Sequence, residues 1–382
     1  MNIIKNDNEI GKNTINFKLI NNPEKKIRNP NIDFIRTIGM FAIVIHHIII
    51  HGNVIKKYGS NELRLLNILL MWHVSSFGIV SGLVGNYTYK FSKLLYLWIL
   101  VVFYGFIIYI IYNKISAPFF KERLLYYLFP IVNSRYWYWT SYFGMYPFLP
   151  FINGNLSKIS QIQFKKCMYF MIGIFIIWTS YYQDPFFQMD GHSVFTLLTL
   201  YIYGCYINKY IFNRKNIFIY RILICVLCSI IFIFASLMCY YIYIKDYFPK
   251  LDYKTKQIFK NKKNSFCMLL QVFSIIIFVA QINFNKAISK IFNFLGPLTF
   301  DVYIIHENTY IHNNYIKTSF NEYPNDLRLT KVFILIFIKA TILFSICIFI
   351  AYIRNILFRI LKIKSLCSYF EIIITKILNY FL

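Results

Sequence analysis

Apolar stretches of helical length alternate with short polar loops, many of them bearing lysine, along most of the chain. A bilayer core about 30 Å thick is crossed by roughly 20 apolar helical residues, and the backbone of such a segment must satisfy its own hydrogen bonds. The pattern predicts an all-α polytopic membrane protein with about ten transmembrane helices in one bundle. The predicted spans are 32–51, 65–84, 94–112, 136–153, 167–182, 194–211, 217–244, 265–284, 292–311 and 331–353.

The polar segments at the two ends divide the chain into three parts. Residues 1–31 are polar and predict a disordered cytoplasmic N-terminal tail. Residues 32–353 form the predicted membrane domain, in which we find no internal repeat. Residues 354–382 alternate basic and apolar side chains, which predicts a basic amphipathic helix on the cytoplasmic surface.

The loop charges predict the orientation. An even number of spans places both termini on one side, and the loops on that side carry most of the lysine and arginine, as cytoplasmic loops do. We therefore expect a multi-pass protein of the plasma or inner membrane with both termini cytoplasmic, and we count Arg354 and Arg359 among its cytoplasmic charges. The lysine-rich loop 245–264 falls on the outer side and argues against this assignment.

Composition supports a membrane protein and narrows its partners. The chain is 58% hydrophobic with a mean hydropathy of +0.51, above the roughly 45–50% apolar share of soluble domains. The net charge of +26 lies largely in loops between spans, so we expect a lipid bilayer and no nucleic acid as partner. The eight cysteines lie almost entirely in apolar segments, which predicts neither a disulfide framework nor a metal site.

The first span contains an unusual pair of ionisable residues. Arg36 and His47 are eleven residues apart, which places them on nearly the same helix face with a separation of about 16 Å. Ionisable residues inside membrane helices are costly and usually functional. A cation that binds phosphates, placed one pantetheine length from a base, suggests an acyl-CoA-type donor lying along the helix. The alternative is that Arg36 reaches the lipid interface and that neighbouring helices satisfy the histidines.

The second span ends in a run of serine and glycine that contains Ser81 and Gly82, and Lys90 and Lys93 follow. Small residues let backbones approach closely, and two cations beside such an approach predict a site for an anionic donor head group. Helix packing and solvated lysines are the alternative interpretations.

Two further segments are candidates for acceptor binding. Trp137 and Trp139 lie in an aromatic-rich run that suits either an interfacial belt or stacking on a sugar. Tyr303 and His306 lie in the predicted ninth span, where His306 precedes Glu307 and could contact a polar acceptor. An interfacial histidine is the alternative.

Four of these segments occur together in a known family. The series Asp33, Arg36 and His47, the run from Phe77 to Gly82, the tryptophan-rich stretch 136–150 and the late series Gly296, Thr299, Tyr303 and His306 are found in that order. In this respect the chain resembles the acyltransferase 3 family of integral membrane O-acyltransferases. It departs from the family at Ser76, where a phenylalanine is usual, and at Leu83, where an aromatic residue is usual.

The resemblance implies a ten-helix core and a cytoplasmic acyl-CoA co-substrate, usually acetyl-CoA, without a metal. It implies transfer to a hydroxyl of a cell-surface glycan or lipid-linked sugar. His47 would be the essential base or acyl relay, Arg36 would bind the donor, and Ser81 and Gly82 would shape its channel. The alternative function is a transporter or export component for a polar envelope precursor, in which Arg36 and His47 line a permeation path.

Overall fold

The computed structural model describes residues 28–85, 90–116, 127–132, 135–178, 187–212, 217–244 and 265–381, and all regular structure within these ranges is helical. The predicted all-α fold is confirmed. In chain order the helices are α1 (Pro30–His51), α2 (Val54–Tyr58), α3 (Asn61–Leu70), α4 (Trp72–Leu83), α5 (Phe91–Ser116), α6 (Trp137–Met145), α7 (Leu149–Lys158), α8 (Gln161–Met171), α9 (Val194–Ile207), α10 (Phe218–Met238), α11 (Phe266–Ala280), α12 (Lys286–Leu295), α13 (Thr299–His306), α14 (Thr309–Ile311), α15 (Leu329–Ile360) and α16 (Ile363–Phe381).

Each predicted span contains helical residues, although residues 179–182 of the fifth span lie outside the described residues. The number of helices that cross the membrane is a separate question. Within the described ranges, six helical segments are long and apolar enough to cross a membrane, and Phe266–Ala280 is a shorter apolar helix. The six are Pro30–His51, Asn61–Leu83, Phe91–Tyr112, Phe218–Ile242, Lys286–His306 and Leu329–Ile360. The count of about ten stays a prediction. The lysine-rich loop 245–264 and residues 1–27 lie outside the described residues.

Helix α1 lies at the centre of the bundle. Its first turn is capped by the Asn29 side chain, which accepts a hydrogen bond from the Asn31 amide at 3.0 Å, and Pro30 occupies the first helical position. The helix packs against α4, α12, α13 and α15, and it contributes residues to both large apolar clusters of the core. A helix that is apolar on nearly every face is buried in this way, so its few polar side chains lie inside the bundle.

Contacts at the two ends of α1 fix the directions of its neighbours. Asp33 lies against Gly296 at the start of α1, whereas Gly52, just past its end, lies against Ser319. The chain from Gly296 through α13 therefore runs in the same direction as α1. Helix α15 runs back, because Lys339 lies 5.9 Å from the centroid of the Phe320 ring whereas Arg354 contacts Asp301, so the start of α1 and the end of α15 lie at the same end of the bundle. We call this the Arg36 end and the opposite one the His47 end. The assignment of the Arg36 end to the cytoplasm stays a prediction.

The C-terminal region forms two helices. Helix α15 continues through the predicted boundary at residue 353 to Ile360, and Lys362, with a positive φ of 51°, separates it from α16. Helix α16 packs along α5, where the Glu371 carboxylate accepts a hydrogen bond from the Phe91 amide at 2.7 Å. Its location on the cytoplasmic surface stays a prediction.

Candidate active site

His47 lies beside two side chains from the end of α13. Its Nδ1 is 2.8 Å from Glu307 Oε1 and 3.1 Å from His306 Nε2. His47 is 259 positions before His306 in sequence, and the residues meet because α13 runs along α1 in the same direction. The His47–His306 contact joins a residue that we predicted to be the catalytic centre to one that we predicted to contact the acceptor.

The backbone of α13 determines the proton position on His306. Its Nδ1 is 2.6 Å from the carbonyl oxygen of Val302, and its side chain is completely buried. A carbonyl oxygen accepts but does not donate, so Nδ1 carries the proton and donates it. The Nε2 lone pair of His306 therefore points toward His47 as an acceptor.

Glu307 supplies the second acceptor. Its Oε1 lies 2.8 Å from His47 Nδ1, and an imidazole N–H at hydrogen-bond distance favours the ionised form of a carboxyl group. The group therefore accepts as a carboxylate. Because His47 Nδ1 faces both this carboxylate and the lone pair of His306, it must carry a proton, which leaves His47 Nε2 as the basic nitrogen.

The neighbouring histidine, His46, has a different environment. Its Nδ1 lies 2.7 Å from Asn67 Oδ1 on α3, away from Glu307. Six of the seven histidines in the sequence lie in ring contact around α1. The ring centroids are 4.9 Å apart for His73 and His46, 5.7 Å for His46 and His47, 5.2 Å for His47 and His306, 5.2 Å for His47 and His51, and 4.7 Å for His51 and His312.

A second polar feature lies at the Arg36 end. A cavity of about 100 Å³ is lined by Arg36, Ser81, Lys90 and Lys93, together with Tyr142, Tyr146 and Tyr201 among others. Four of the five residues that the sequence predicts for donor binding thus lie around one cavity. Its lining includes neither His47 nor any other histidine among the described residues, so the cavity stays at the Arg36 end.

Asp33 fixes the position of Arg36. Its buried carboxylate accepts hydrogen bonds from Arg36 Nη1 at 2.9 Å and from Arg28 Nη2 at 2.7 Å. A Cβ atom at Gly296 would lie 2.5 Å from Asp33 Oδ1, so only glycine leaves room for the carboxylate there. Two motifs that are about 260 residues apart in sequence therefore form one contact.

Gly82, the fifth predicted donor residue, lies between helices. A Cβ atom there would be 2.1 Å from the carbonyl oxygen of Tyr201 and 2.8 Å from the Gly204 Cα. Glycine at position 82 thus allows α4 to pack directly on α9, as in the packing interpretation. Its neighbour Ser81 donates to the Phe77 carbonyl at 2.9 Å and also faces the cavity.

Aromatic rings fill the space between the cavity and the histidines. From Tyr142 at the cavity, contacts run through Trp139, Phe300 and Tyr303 to His306, with centroid distances of 6.3, 5.8, 6.2 and 6.3 Å. Trp139 is completely buried in this packing, whereas the Trp137 ring lies 4.4 Å from that of His192. Sugar stacking by the two tryptophans stays a prediction, and the burial of Trp139 fits a packing role better.

Two parts of this arrangement were not predicted from the sequence. Glu307 was noted only as a neighbour of His306, although a carboxylate beside a histidine at the end of an apolar helix is a usable signal. Arg354 was counted as a cytoplasmic charge, but it is buried and donates from Nε to Asp301 Oδ1 at 2.7 Å, and Tyr104 donates to the same oxygen at 2.6 Å. Asp301 therefore connects α13 to α15 through Arg354 and to α5 through Tyr104, between the Arg36 end and the histidines.

Comparison with known proteins gives one match. A family model described as an acyltransferase domain, that of the acyltransferase 3 family, matches residues 29–359. The match covers α1 and continues to the last turn of α15, and it includes Arg36, His47 and Glu307. No curated protein and no solved structure matches the chain.

Proposed function

The chain belongs to the acyltransferase 3 family and is a membrane acyltransferase that moves groups other than amino-acyl groups, and from this premise we propose that it transfers an acetyl group from acetyl-CoA to a hydroxyl of a cell-surface glycan or lipid-linked sugar. Membership in this family decides between the two function classes that the sequence left open, because it favours an acyltransferase over a transporter. The donor, the acceptor and the residue roles are our proposal.

The arrangement at His47 is the observation that carries the proposal. A general base needs a free lone pair on a ring that a third group orients. Here the Glu307 carboxylate, 2.8 Å from Nδ1, and the Nε2 lone pair of His306, 3.1 Å from the same atom, hold the proton on Nδ1. Nε2 of His47 is left to accept the proton of an acceptor hydroxyl, and the nearby carboxylate stabilises the imidazolium that forms.

The cavity at the Arg36 end supplies the complementary function of donor binding. Arg36, Lys90 and Lys93 bring three positive charges to one cavity, and arginine in particular binds phosphate oxygens through two parallel hydrogen bonds. The phosphates of the donor would lie at this end, which we place on the cytoplasmic side. Its pantetheine arm would run along α1 toward His47, a distance of about 16 Å, past side chains such as Tyr303 that must shift to admit it.

The reaction balances without a further reactant. The acceptor oxygen attacks the thioester carbonyl, the C–O bond of the new ester forms, and the C–S bond of the donor breaks. The hydroxyl proton passes to His47 Nε2 and then to the leaving thiolate, which departs as a thiol. A relay in which Nε2 first takes the acyl group itself uses the same residues, and we leave both routes open.

The test is acyl transfer from radiolabelled acetyl-CoA into the cell-envelope material of membranes that contain the protein. Wild type, His47→Ala and His46→Gln are compared at equal protein content. His46→Gln is the matched control because it changes the adjacent histidine, whose partner is Asn67, outside the catalytic group. We expect label with wild type and with His46→Gln, and none with His47→Ala.

Two outcomes would contradict the proposal. Label with His47→Ala at the wild-type level would move the catalytic centre away from α1. An absence of label with every variant, when the native envelope is supplied as acceptor, would exclude acetyl-CoA as the donor.

A further inference from the structure

In the cluster of His47, His306 and Glu307, three donor atoms face one another and share a single proton, the one on His47 Nδ1. We propose that these three residues form a binding site for a divalent ion of the Zn²⁺ type, and that occupancy of this site switches off acyl transfer. The first half of the proposal concerns binding alone. The second half rests on the proposed role of His47 as the base.

The geometry of the three donor atoms suits one ion. His47 Nδ1, His306 Nε2 and Glu307 Oε1 are separated by 2.8, 3.1 and 3.9 Å, and the group lies within 4.8 Å overall. Ligand atoms bonded to Zn²⁺ at about 2.1 Å in a tetrahedron lie about 3.4 Å apart. Changes of about 0.3–0.6 Å in these separations would therefore place all three atoms around one ion.

The chemistry of the donor set points to the same class of ion. Two imidazoles and one carboxylate suit Zn²⁺ and its neighbours, and three protein ligands leave a fourth position for water. His306 also has the second interaction that metal-binding histidines make, because its Nδ1 donates to the Val302 carbonyl at 2.6 Å and so directs the Nε2 lone pair into the cluster. The negative Glu307 carboxylate lowers the cost of bringing a dication to this depth.

Two of the three residues in the cluster keep a small exposed fraction. The side chain of His306 is completely buried, but those of His47 and Glu307 retain 14% and 21% of their exposure. An ion would approach the cluster past these two partly exposed side chains, the side from which the acceptor hydroxyl must also reach His47.

Metal binding and base catalysis exclude each other at His47. Without an ion, Nδ1 carries the proton and Nε2 is basic. An ion on Nδ1 takes the lone pair there, so the neutral ring must carry its proton on Nε2. His47 can then accept neither a proton nor an acyl group at Nε2, and we expect the ion to act as a reversible inhibitor.

Metal binding is measured first and without any donor. Protein without a histidine tag is purified in detergent, treated with EDTA, and titrated with Co²⁺, whose visible absorption reports its ligands. We expect one Co²⁺ per chain, displaced by Zn²⁺. Since the loss of second-shell partners alone costs 10- to 100-fold in affinity, Glu307→Gln and His306→Asn should each weaken binding by about 100-fold or more. His192→Gln changes the histidine that is not among the six in ring contact around α1, and it should bind Co²⁺ as wild type does.

Several results would overturn the site. Wild type that binds no Co²⁺, Glu307→Gln that binds it unchanged, or His192→Gln that weakens binding equally would each do so. Glu307→Gln preserves the shape of the side chain, so an unchanged thermal unfolding temperature in the absence of metal separates lost ligation from lost folding.

The inhibitory half is tested by acyl transfer from acetyl-CoA in EDTA, after addition of Zn²⁺, and after EDTA is restored. We expect activity, loss and recovery. Activity that appears only with Zn²⁺ would show that the ion is required, and activity insensitive to saturating Zn²⁺ would show that it does not reach Nδ1; either result overturns this half. Wild type that is inactive under all three conditions would count against the proposed function, while the Co²⁺ titration would still decide the binding site.

Discussion

The two ends of α1 carry different kinds of polar group. At the Arg36 end, guanidinium and ammonium groups surround a cavity of about 100 Å³. At the His47 end, two imidazoles and a carboxylate contact one another with little exposure. Groups with a permanent charge suit the binding of an anion, whereas imidazoles suit proton transfer. In the proposed function, one helix would therefore separate donor binding from chemistry by about 16 Å.

Both ends depend on the same partner segment. Gly296, before α13, leaves the space that the Asp33 carboxylate occupies beside Arg36, and His306 and Glu307, at the end of α13, contact His47. A shift of α13 along its axis would therefore disturb both ends together. Substitutions that disturb only one end can therefore separate the proposed donor binding from the proposed proton transfer.

Among substitutions that leave His47 in place, the largest effect is expected from Glu307→Gln. The amide keeps the size of the side chain but removes the charge that stabilises the imidazolium and holds the proton on Nδ1. General-base catalysis contributes about 10²- to 10⁴-fold, so we expect kcat to fall by that range while the KM for the donor stays near the wild-type value. Steady-state kinetics with varied acetyl-CoA measures both constants.

Glu322→Gln is the control, because Glu322 is an exposed acid at the His47 end that takes no part in the cluster. A fall in kcat of less than about threefold with Glu307→Gln would show that the carboxylate does not orient His47. If Glu307→Gln raised the donor KM by as large a factor as it lowered kcat, the His47 end would also contribute to donor binding.

The second prediction compares two arginines that share one partner. Arg36 and Arg28 both donate to Asp33, but only Arg36 lines the cavity. Hydrogen bonds to charged groups contribute about 1.5–3 kcal/mol, so we expect Arg36→Gln to lower kcat/KM for acetyl-CoA by about 10- to 100-fold and Arg28→Gln to leave it within about threefold.

A truncated thioester donor without phosphates sharpens this comparison. If Arg36 binds phosphate, Arg36→Gln should have little effect on transfer from the truncated donor. If Arg36→Gln lowered kcat/KM equally with both donors, or if both arginine variants lowered it equally, Arg36 would act by stabilising α1 and not by binding phosphate.

The sequence could predict the helices and the residues of the cavity, because each depends on local pattern. Apolar runs of helical length predicted where helices lie, and Arg36, Ser81, Lys90 and Lys93 were each conspicuous within their own segments. The eleven-residue spacing of Arg36 and His47 also follows from helix geometry alone.

The partners of these residues could not be predicted in the same way. The contacts of His47 with His306 and Glu307 and of Arg354 with Asp301 join distant helices, and no local pattern specifies which helices pack together. The sequence likewise allowed two interpretations of Gly82, and the close approach of α9, which supports the packing interpretation, is again a contact between distant helices.

The third prediction concerns the contact between α4 and α9 that supports the Arg36 end. A methyl group at Gly82 would meet the backbone of Tyr201 and Gly204 at 2.1–2.8 Å, so the helices must separate. Overpacking of this kind costs about 1–3 kcal/mol, and we expect Gly82→Ala to lower the thermal unfolding temperature and to raise the donor KM, with a smaller change in kcat.

Gly154→Ala is the matched control, because a Cβ atom at this helical position meets nothing within 4 Å. It should leave stability unchanged or increase it by about 0.4–1 kcal/mol. If Gly82→Ala unfolds at the wild-type temperature, the close packing of the two helices is not required.

The smallest effect is expected from the two lysines at the cavity. Lys90 and Lys93 line it but are exposed, and exposed ion pairs contribute about 0–1 kcal/mol and are screened by salt. Lys90→Gln and Lys93→Gln should each raise the donor KM up to about fivefold at low ionic strength and by much less in about 1 M salt, where the screening length is near 3 Å.

Lys286→Gln, which removes an exposed lysine outside the cavity lining, should change the KM little at either salt concentration. A loss with Lys93→Gln as large and as salt-resistant as that with Arg36→Gln would mean that the lysine directly binds the donor in a closed site, and the Arg36 end would then share the shielded character of the His47 end.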